Sequence, residues 1–329
     1  MSDAEDLDAV AVAEALAVLP AASPTELIEG WHRVKRELSA LLQSSAPDAA
    51  WIDTLEATVE RLQGLARRDF DAALYLLLQD AGNGESGYSV HHALLCALVC
   101  ELCAEGLQWP AEEVDTLVRA ALTMNLSMTT AQDALSRQSG PLSAAQREQV
   151  DGHAEESARL LAASGLGNPL WIEVVRLHHD AGAQGRAADA ASSSAAQRLA
   201  RLLSRVDVYT AKLSRRAGRE AVSPAIAARD TCLDGAGQPD TLGVALLRKL
   251  GLYPPGSFVK LANGDLGVVV RRGDKAHMPI VAALRRIDGA LHFSPKRRDT
   301  SLGRHAVVHG VTASEVKVHL NHLRNLALT

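Results

Sequence analysis

His92, His153, the pair His178-His179, Asp180 and Asp207 are the residues of this chain best suited to hold a divalent cation. Imidazole and carboxylate are ligands for iron, manganese and zinc, and one helix cannot enclose an ion, so such ligands have to converge from several helices. Two ions held in this way lower the pKa of a shared water and neutralise a phosphate, the chemistry of metal-dependent phosphohydrolases. Each residue also has a structural reading. His92 fits a hydrogen-bonded core histidine, Asp207 a helix cap or a partner for Arg201 or Arg205, and His91 a solvated position. His153, His178 and His179 fit either a metal site or a structural remnant. Cys96, Cys100 and Cys103 lie at i, i+4 and i+7. That is one stripe of a helix without the spacing of a zinc knuckle, and it reads as buried core. With Cys232 they form no disulfide framework, which fits a reducing compartment.

Helices are the expected carriers. Ala and Leu dominate the 47% apolar content, while aromatics reach 3%, a bias toward helix formers and away from strands. The pattern is helical from Ala4 to about Asp80, with breaks at Pro20–Pro24 and Ser44–Pro47. Ile52, Leu55, Val59 and Leu62 recur at the three- and four-residue steps of one helix face. A turn-rich link, Ala81–Tyr88, leads to a second helical block from about Ser89 to Gly251. It is interrupted at Ser139–Pro141, at Gly165–Pro169 and by the Ala/Gly/Ser-rich stretch Asp180–Ser194, which reads as a mobile loop. His92 then opens a long helix, His153 sits at a helix start, and His178-His179-Asp180 ends the helix begun near Leu170. After Tyr253-Pro254-Pro255-Gly256 the periodicity changes to strands at Val259–Leu261, Gly267–Arg271 and Ile280–Leu284. Asn263-Gly264 supplies a hairpin turn, and a helix from about Ala313 to Leu326 closes the unit. The expected organisation is therefore an N-terminal helical region (1–80), a helical domain (81–252) and a small basic β-rich domain (253–329).

From Pro255 onward, twelve Lys/Arg stand against five Asp/Glu, a net charge of +7 that leaves −12 on the rest of a chain of formal charge −5. Such asymmetry fits an anionic partner or a docking face, and equally a solvated surface with local charge drift. Arg271-Arg272, Arg285-Arg286 and Lys296-Arg297-Arg298 are the features a nucleic acid would use. Phe258 and Phe293 are the only aromatics in this segment, which argues against base stacking. The acidic start, Met1–Asp6, lacks the basic region of a signal peptide, and the apolar run Ala72–Leu78 is far shorter than a membrane span. The expected location is cytoplasmic, with no membrane association.

The spacing of the ligand candidates resembles the HD-GYP family of cyclic di-GMP phosphodiesterases. Counted from His92, that family's His-Asp pair falls on Met124-Asn125, its next histidine on His153, its double histidine on His178-His179 and its closing aspartate on Asp207. Ser214, Arg216, Arg219, Ser223 and Pro224 stand where the family has its Thr-Ser-Asp-Arg-Pro-Tyr-Arg…Ser-Pro segment. The resemblance covers roughly residues 88–272 and implies an HD-domain-like helical bundle, so the fold expected is mainly α with a small C-terminal β-rich domain.

The departures are chemical. Met124, Asn125 and Met128 replace a ligating histidine, a metal-bridging aspartate and a lysine; Asp180 replaces a glutamate; the Gly-Tyr-Pro position is Arg186-Ala187-Ala188. A thioether does not stand in for imidazole on a borderline cation, nor a carboxamide for a bridging carboxylate. The resemblance then implies at most one divalent transition metal (Fe, Mn or Zn), on His153, His178 and His179, with His92 and Asp207 as remnants of a second site. Arg216 and Arg219 match positions near the ligand phosphates; their other reading is as solvated arginines. The expected function is a catalytically degenerate signalling protein that binds a cyclic dinucleotide or protein partners, with a homodimer as one assembly. The alternative is a residual metal-dependent phosphodiesterase.

Overall fold

The computed structural model describes residues 24–44, 47–80, 87–165, 168–180, 194–214, 216–217, 221–232 and 240–316. Most of these are helical, and a five-stranded antiparallel sheet follows at the C-terminal end. Three helices come first, α1 (Pro24–Gln43), α2 (Ala49–Arg68) and α3 (Phe70–Asp80). On α2, Leu55, Val59 and Leu62 are fully buried and Ile52 partly so. The same apolar cluster takes in Leu38 and Leu74 of this region together with Leu94, Leu117 and Leu203 from later helices, so the first helices share one core with the rest.

That core is organised around α4 (Tyr88–Gly106), every residue of which from Ser89 to Ala104 is buried. It is the one described helix long and apolar enough to cross a bilayer, and 89% of its apolar window is buried inside the protein. Its neighbours are α1, α3, α5 (Ala111–Thr123), α6 (Thr129–Ser136), α9 (Ala195–Leu213) and α11 (Thr241–Leu250). A helix sheathed on all sides has no polar face, which is why His91, expected in solvent, is 4% exposed and neither ring nitrogen finds a partner among the described residues. Burial, then the nearby Lys35 ammonium, pushes its pKa down to about 3, so it is neutral inside the protein.

Between α6 and α9 lie α7 (Ala144–Ala163) and α8 (Pro169–Leu177); α10 (Pro224–Cys232) precedes α11. Their starts are written locally. Ser143 with Gln146 and Ser194 with Gln197 form capping boxes on α7 and α9, and Asn168 caps α8 with Pro169 in its first turn. Asp240 caps α11 through Gly243 N–H and pairs with Arg205 at 2.5 Å.

The sheet contains β1 (Phe258–Leu261), β2 (Leu266–Arg271), β3 (Ile280–Arg285), β4 (Leu291–Asp299) and β5 (Val307–Val311), in the order β4-β3-β2-β1-β5. Gly264, at φ 86°, makes the turn between β1 and β2. The first three strands lie where alternation placed them, but β4 and β5 did not show in the sequence. Both are edge strands with little buried surface, and β4 carries Pro295, which an edge tolerates. The closing helix is described only as α12 (Ala313–Val316); its expected continuation lies outside the described residues.

The sheet seats on α3 through Ala72 and Tyr75 against Val268, Val270, Ala282 and Leu284. Asp69 takes Arg271 at 2.7 Å and Asp71 takes Arg272 at 2.5 Å, which ties the sheet to the start of α3. Arg298 is turned inward to Asp265 at 3.2 Å.

Glu101, on α4, is 1% exposed, with one carboxylate oxygen unpartnered among the described residues. Burial, with Glu105 close by, raises its pKa from 4.5 to about 7. The folded state therefore holds this proton more tightly than the unfolded chain, and stability falls as pH rises from 4.5 to 7. The full loss is on the order of 3 kcal/mol. Glu101→Gln should be closer to neutral near pH 5 and stabilising near pH 8 in urea unfolding. Parallel pH profiles for wild type and variant would remove Glu101 as the cause.

Candidate metal centre

The site is built from the facing sides of α4, α7, α8 and α9. The start of α4 is pinned by Asp133 of α6, whose Oδ1 accepts the Ser89 N–H at 2.7 Å. A Cβ on Gly87 would lie 2.4 Å from the same carboxylate, so only glycine permits that approach. One turn into α4, His92 is 1% exposed, and its Nε2 meets Asp207 Oδ1 of α9 at 2.7 Å. Tyr88 stacks on the His92 ring at 5.5 Å, and the Arg216 guanidinium lies over Tyr88 at 4.6 Å and donates to its hydroxyl.

His153 lies in the middle of α7, not at its start. Its position is set by the 3-10 turn Leu126–Met128, where Ser127 Oγ donates to His153 O at 3.0 Å and Ser157 Oγ donates to Ser127 Oγ at 3.0 Å. His178 is the C-cap of α8, and His179 follows it. His153 Nδ1 donates to Val150 O at 2.5 Å and His178 Nδ1 to Val175 O at 2.6 Å. A carbonyl can only accept, so both rings are Nδ1–H tautomers with bare Nε2 lone pairs when neutral. Those two Nε2 atoms face each other at 3.2 Å.

Two lone pairs at that distance need a cation or a proton between them. Burial, then His179, pushes the His178 pKa down to about 3, and burial lowers that of His153, so a proton is poorly held near neutral pH. A metal ion fits. With metal–nitrogen bonds of about 2.0–2.1 Å, adjacent nitrogens in a tetrahedral shell lie about 3.3 Å apart. The ligating atoms of His153, His178 and His179 all lie within 4.8 Å of one another. His179, with 38% of its side chain exposed, brings its Nε2 to 3.7 Å from Asp207 Oδ2.

Asp207 thus joins the two groups, one oxygen toward His92 and the other toward His179. Burial opposes its charge, but the His92 hydrogen bond and the neighbouring imidazoles hold its carboxyl well below the ordinary range. For His92, burial opposes protonation and the surroundings, Asp207 among them, overcome it, so its pKa is raised. The partner of Asp207 is therefore a histidine; Arg205 is committed to Asp240.

Met124 is buried in the core at 1% exposure, Met128 is buried and Asn125 is half-buried at the head of the 3-10 turn beside α7. No carboxylate stands at these positions. Arg219 and the Arg186-Ala187-Ala188 stretch lie outside the described residues. Sequence reasoning assigned Cys96 to the core and overlooked Thr210. Cys96 is buried, but its Sγ sits 3.0 Å from Thr210 Oγ1 and 3.6 Å from His92 Nε2. Its spacing of four from His92 was the available signal.

Comparison of the chain with protein-family models, curated proteins and solved structures returned no match.

The three-histidine group should bind Zn(II) or Mn(II) in calorimetric titrations of metal-stripped protein. Outer-shell changes at metal sites cost about 10–100-fold in affinity, so His178→Ala, which removes a ligand, should cost at least about 100-fold. Equal affinities in wild type and His178→Ala would rule this group out as the site.

Proposed function

We propose that this protein is a catalytically degenerate relative of the HD-GYP phosphodiesterases, a signalling protein that holds one cation on His153, His178 and His179 and binds a cyclic dinucleotide without turning it over efficiently. The observation that carries this reading is the pair of Nε2 lone pairs 3.2 Å apart, fixed in tautomer by their own backbone, in register with a phosphohydrolase spacing whose histidine and bridging-aspartate positions are Met124 and Asn125. When bound, the ion supplies positive charge for a phosphodiester. The chain supplies the rest. His179 is the solvent-facing imidazole of the trio, and Arg216, steadied on Tyr88, offers a fixed cation beside His92. Arg216 Nε is buried without a hydrogen-bond partner among the described residues, a donor left over from its bond to Tyr88.

Efficient two-metal hydrolysis needs a carboxylate between the ions and an accessible nucleophilic water. Asn125 is neutral, and Met128 brings no charge to the leaving side. A metal-dependent phosphodiesterase of low residual activity is the second reading, favoured by the intact histidine trio. The β-rich unit, with Arg271 and Arg272 engaged by Asp69 and Asp71, gives little support to nucleic-acid binding.

Full-length protein loaded with Mn(II) should bind cyclic di-GMP in calorimetry, and chromatography should show no appreciable linear product over hours. Arg216→Ala should weaken binding by about tenfold, consistent with the loss of a charge-assisted hydrogen bond. Rapid turnover would replace the receptor reading with the enzymatic one; absence of binding would remove the dinucleotide.

A further inference from the structure

The exposed apolar side chains of this protein are unevenly spread. Five of the seven large ones among the described residues belong to the β-rich unit, and three of these, Ile287, Leu291 and Phe293, fall within the β3–β4 hairpin. Ile287 is 78% exposed, Leu291 57% and Phe293 fully. Ile287 sits in the hairpin loop and leans over the β1–β2 turn, where a Cβ on Gly264 would meet its Cδ1 at 2.5 Å. Leu291 pairs with Arg285 at the root of the loop. The three therefore gather at one end of the sheet.

The fold holds Phe293 out. Leu291 pairs with Arg285 and Lys296 with Ala283, so His292, Phe293, Ser294 and Pro295 stand opposite Leu284 alone, a bulge of the kind that re-aims side chains. His292 turns inward, its Nε2 3.6 Å from Asp265 Oδ2. The same oxygen receives Asn263 Nδ2 at 2.9 Å and Arg298 Nη2 at 3.2 Å. With His292 on this inner clamp, alternation along the strand sends Leu291 and Phe293 to the other side.

Charge follows the same layout. Arg286 and Asp288, the charges of the loop, pair with each other at 2.8 Å, so the tip is neutral as a unit. Lys296 and Arg297 follow on β4, exposed and in no salt bridge among the described residues. Lys296 is three residues from Phe293, at most about 10 Å along the chain. An apolar tip with cations that distance behind it matches the profile of an anionic bilayer, in which acyl chains lie beneath a charged headgroup layer. Other occupants fit less well. Strand addition at β4 is hindered by the bulge, by Pro295, which has no N–H, and by Lys296. A folded partner would need a pocket shaped to a convex tip, whereas a bilayer yields to one. Single-stranded nucleic acid uses successive stacking platforms, and Phe293 is the one exposed aromatic described in this unit.

We propose that the β3–β4 hairpin is a peripheral membrane contact, in which Ile287, Leu291 and Phe293 enter the acyl boundary of an anionic bilayer while Lys296 and Arg297 pair with lipid phosphates. The expectation of no membrane association rested on the length needed to span a bilayer, which an interfacial contact does not require. The contact uses neither metal nor cyclic dinucleotide, so it stands or falls apart from the function proposed above.

Flotation of the full-length protein with lipid vesicles tests it. The protein should float with vesicles of equal parts phosphatidylcholine and phosphatidylglycerol and stay behind with phosphatidylcholine alone. Phe293→Ala should lower the partition coefficient about tenfold, the low end for withdrawing a phenyl ring from an apolar phase, and Leu291→Ser should act in the same direction. Lys296→Ala should cost roughly fivefold, and raised salt should weaken the wild type. Ile226→Ala, at an exposed apolar position of α10, should change nothing. Phe293→Trp should gain a fluorescence that lipids brominated near the headgroup quench, a signal of insertion that simple charge attraction does not give. No flotation, flotation indifferent to both Phe293→Ala and Leu291→Ser, equal flotation with phosphatidylcholine alone, or no added quenching in Phe293→Trp overturns the proposal. A dimer in sedimentation velocity, or retention of a single-stranded oligonucleotide, that Phe293→Ala abolishes while vesicle binding persists also overturns it and assigns the tip to that partner.

Discussion

Two imidazole nitrogens 3.2 Å apart, each belonging to a ring that has already given its Nδ1–H to a backbone carbonyl, cannot both remain bare in a protein interior. A buried lone pair without a donor costs about 1–3 kcal/mol, and two facing each other also repel. Much of the surrounding structure serves to keep them there. The hydroxyls of Ser127 and Ser157 hold the 3-10 turn against α7, and Trp171 Nε1 donates to Thr123 Oγ1 at 2.9 Å, which fixes α8 on the end of α5. The fold thus maintains an arrangement that is favourable only when something positive occupies it.

Asp207 extends this constraint across the bundle. A carboxylate with 16% of its side chain exposed is costly unless paired, and a buried pair is strongly weakened when one partner is removed. Its two oxygens face His92 on one side and His179 on the other, so α4, α8 and α9 are electrostatically joined at one residue. Tyr88 stacks on the His92 ring and in turn carries the Arg216 guanidinium. A change at Asp207 would therefore disturb the surroundings of His92 and of His179 together, whereas a change at His178 acts on one side.

The helical character and the switch to strands after Tyr253 were legible because they rest on periodicity, which solvent imposes on amphipathic elements. That His92, His153, His178, His179 and Asp207 come together from separate helices was legible through spacing. What escaped had no such signature. His91 was misplaced because α4 is buried on every side and the identity of its neighbours does not show in its own pattern. The edge strands β4 and β5 do not alternate because little of either is covered, and Lys296, Arg297 and Pro295 suit an edge rather than a strand interior. Cys96 read as core, and it is buried; its contact with Thr210 depends on the placement of α9 opposite, which its own helix pattern does not show. Arg205 was a plausible partner for Asp207 by proximity in sequence, but two residues along a helix points the side chains to different sides, and Asp240 takes it.

The central claim is that His153 and His178 present Nε2 to a cation, and long-range proton–nitrogen NMR of the histidine rings in full-length, metal-stripped protein tests it most directly. Both rings should show the Nδ1–H tautomer near neutral pH, and addition of Cd(II) should shift both Nε2 signals and introduce a cadmium–nitrogen coupling to each. An Nε2–H tautomer on either ring, or Nε2 signals unmoved by the metal, would contradict the account.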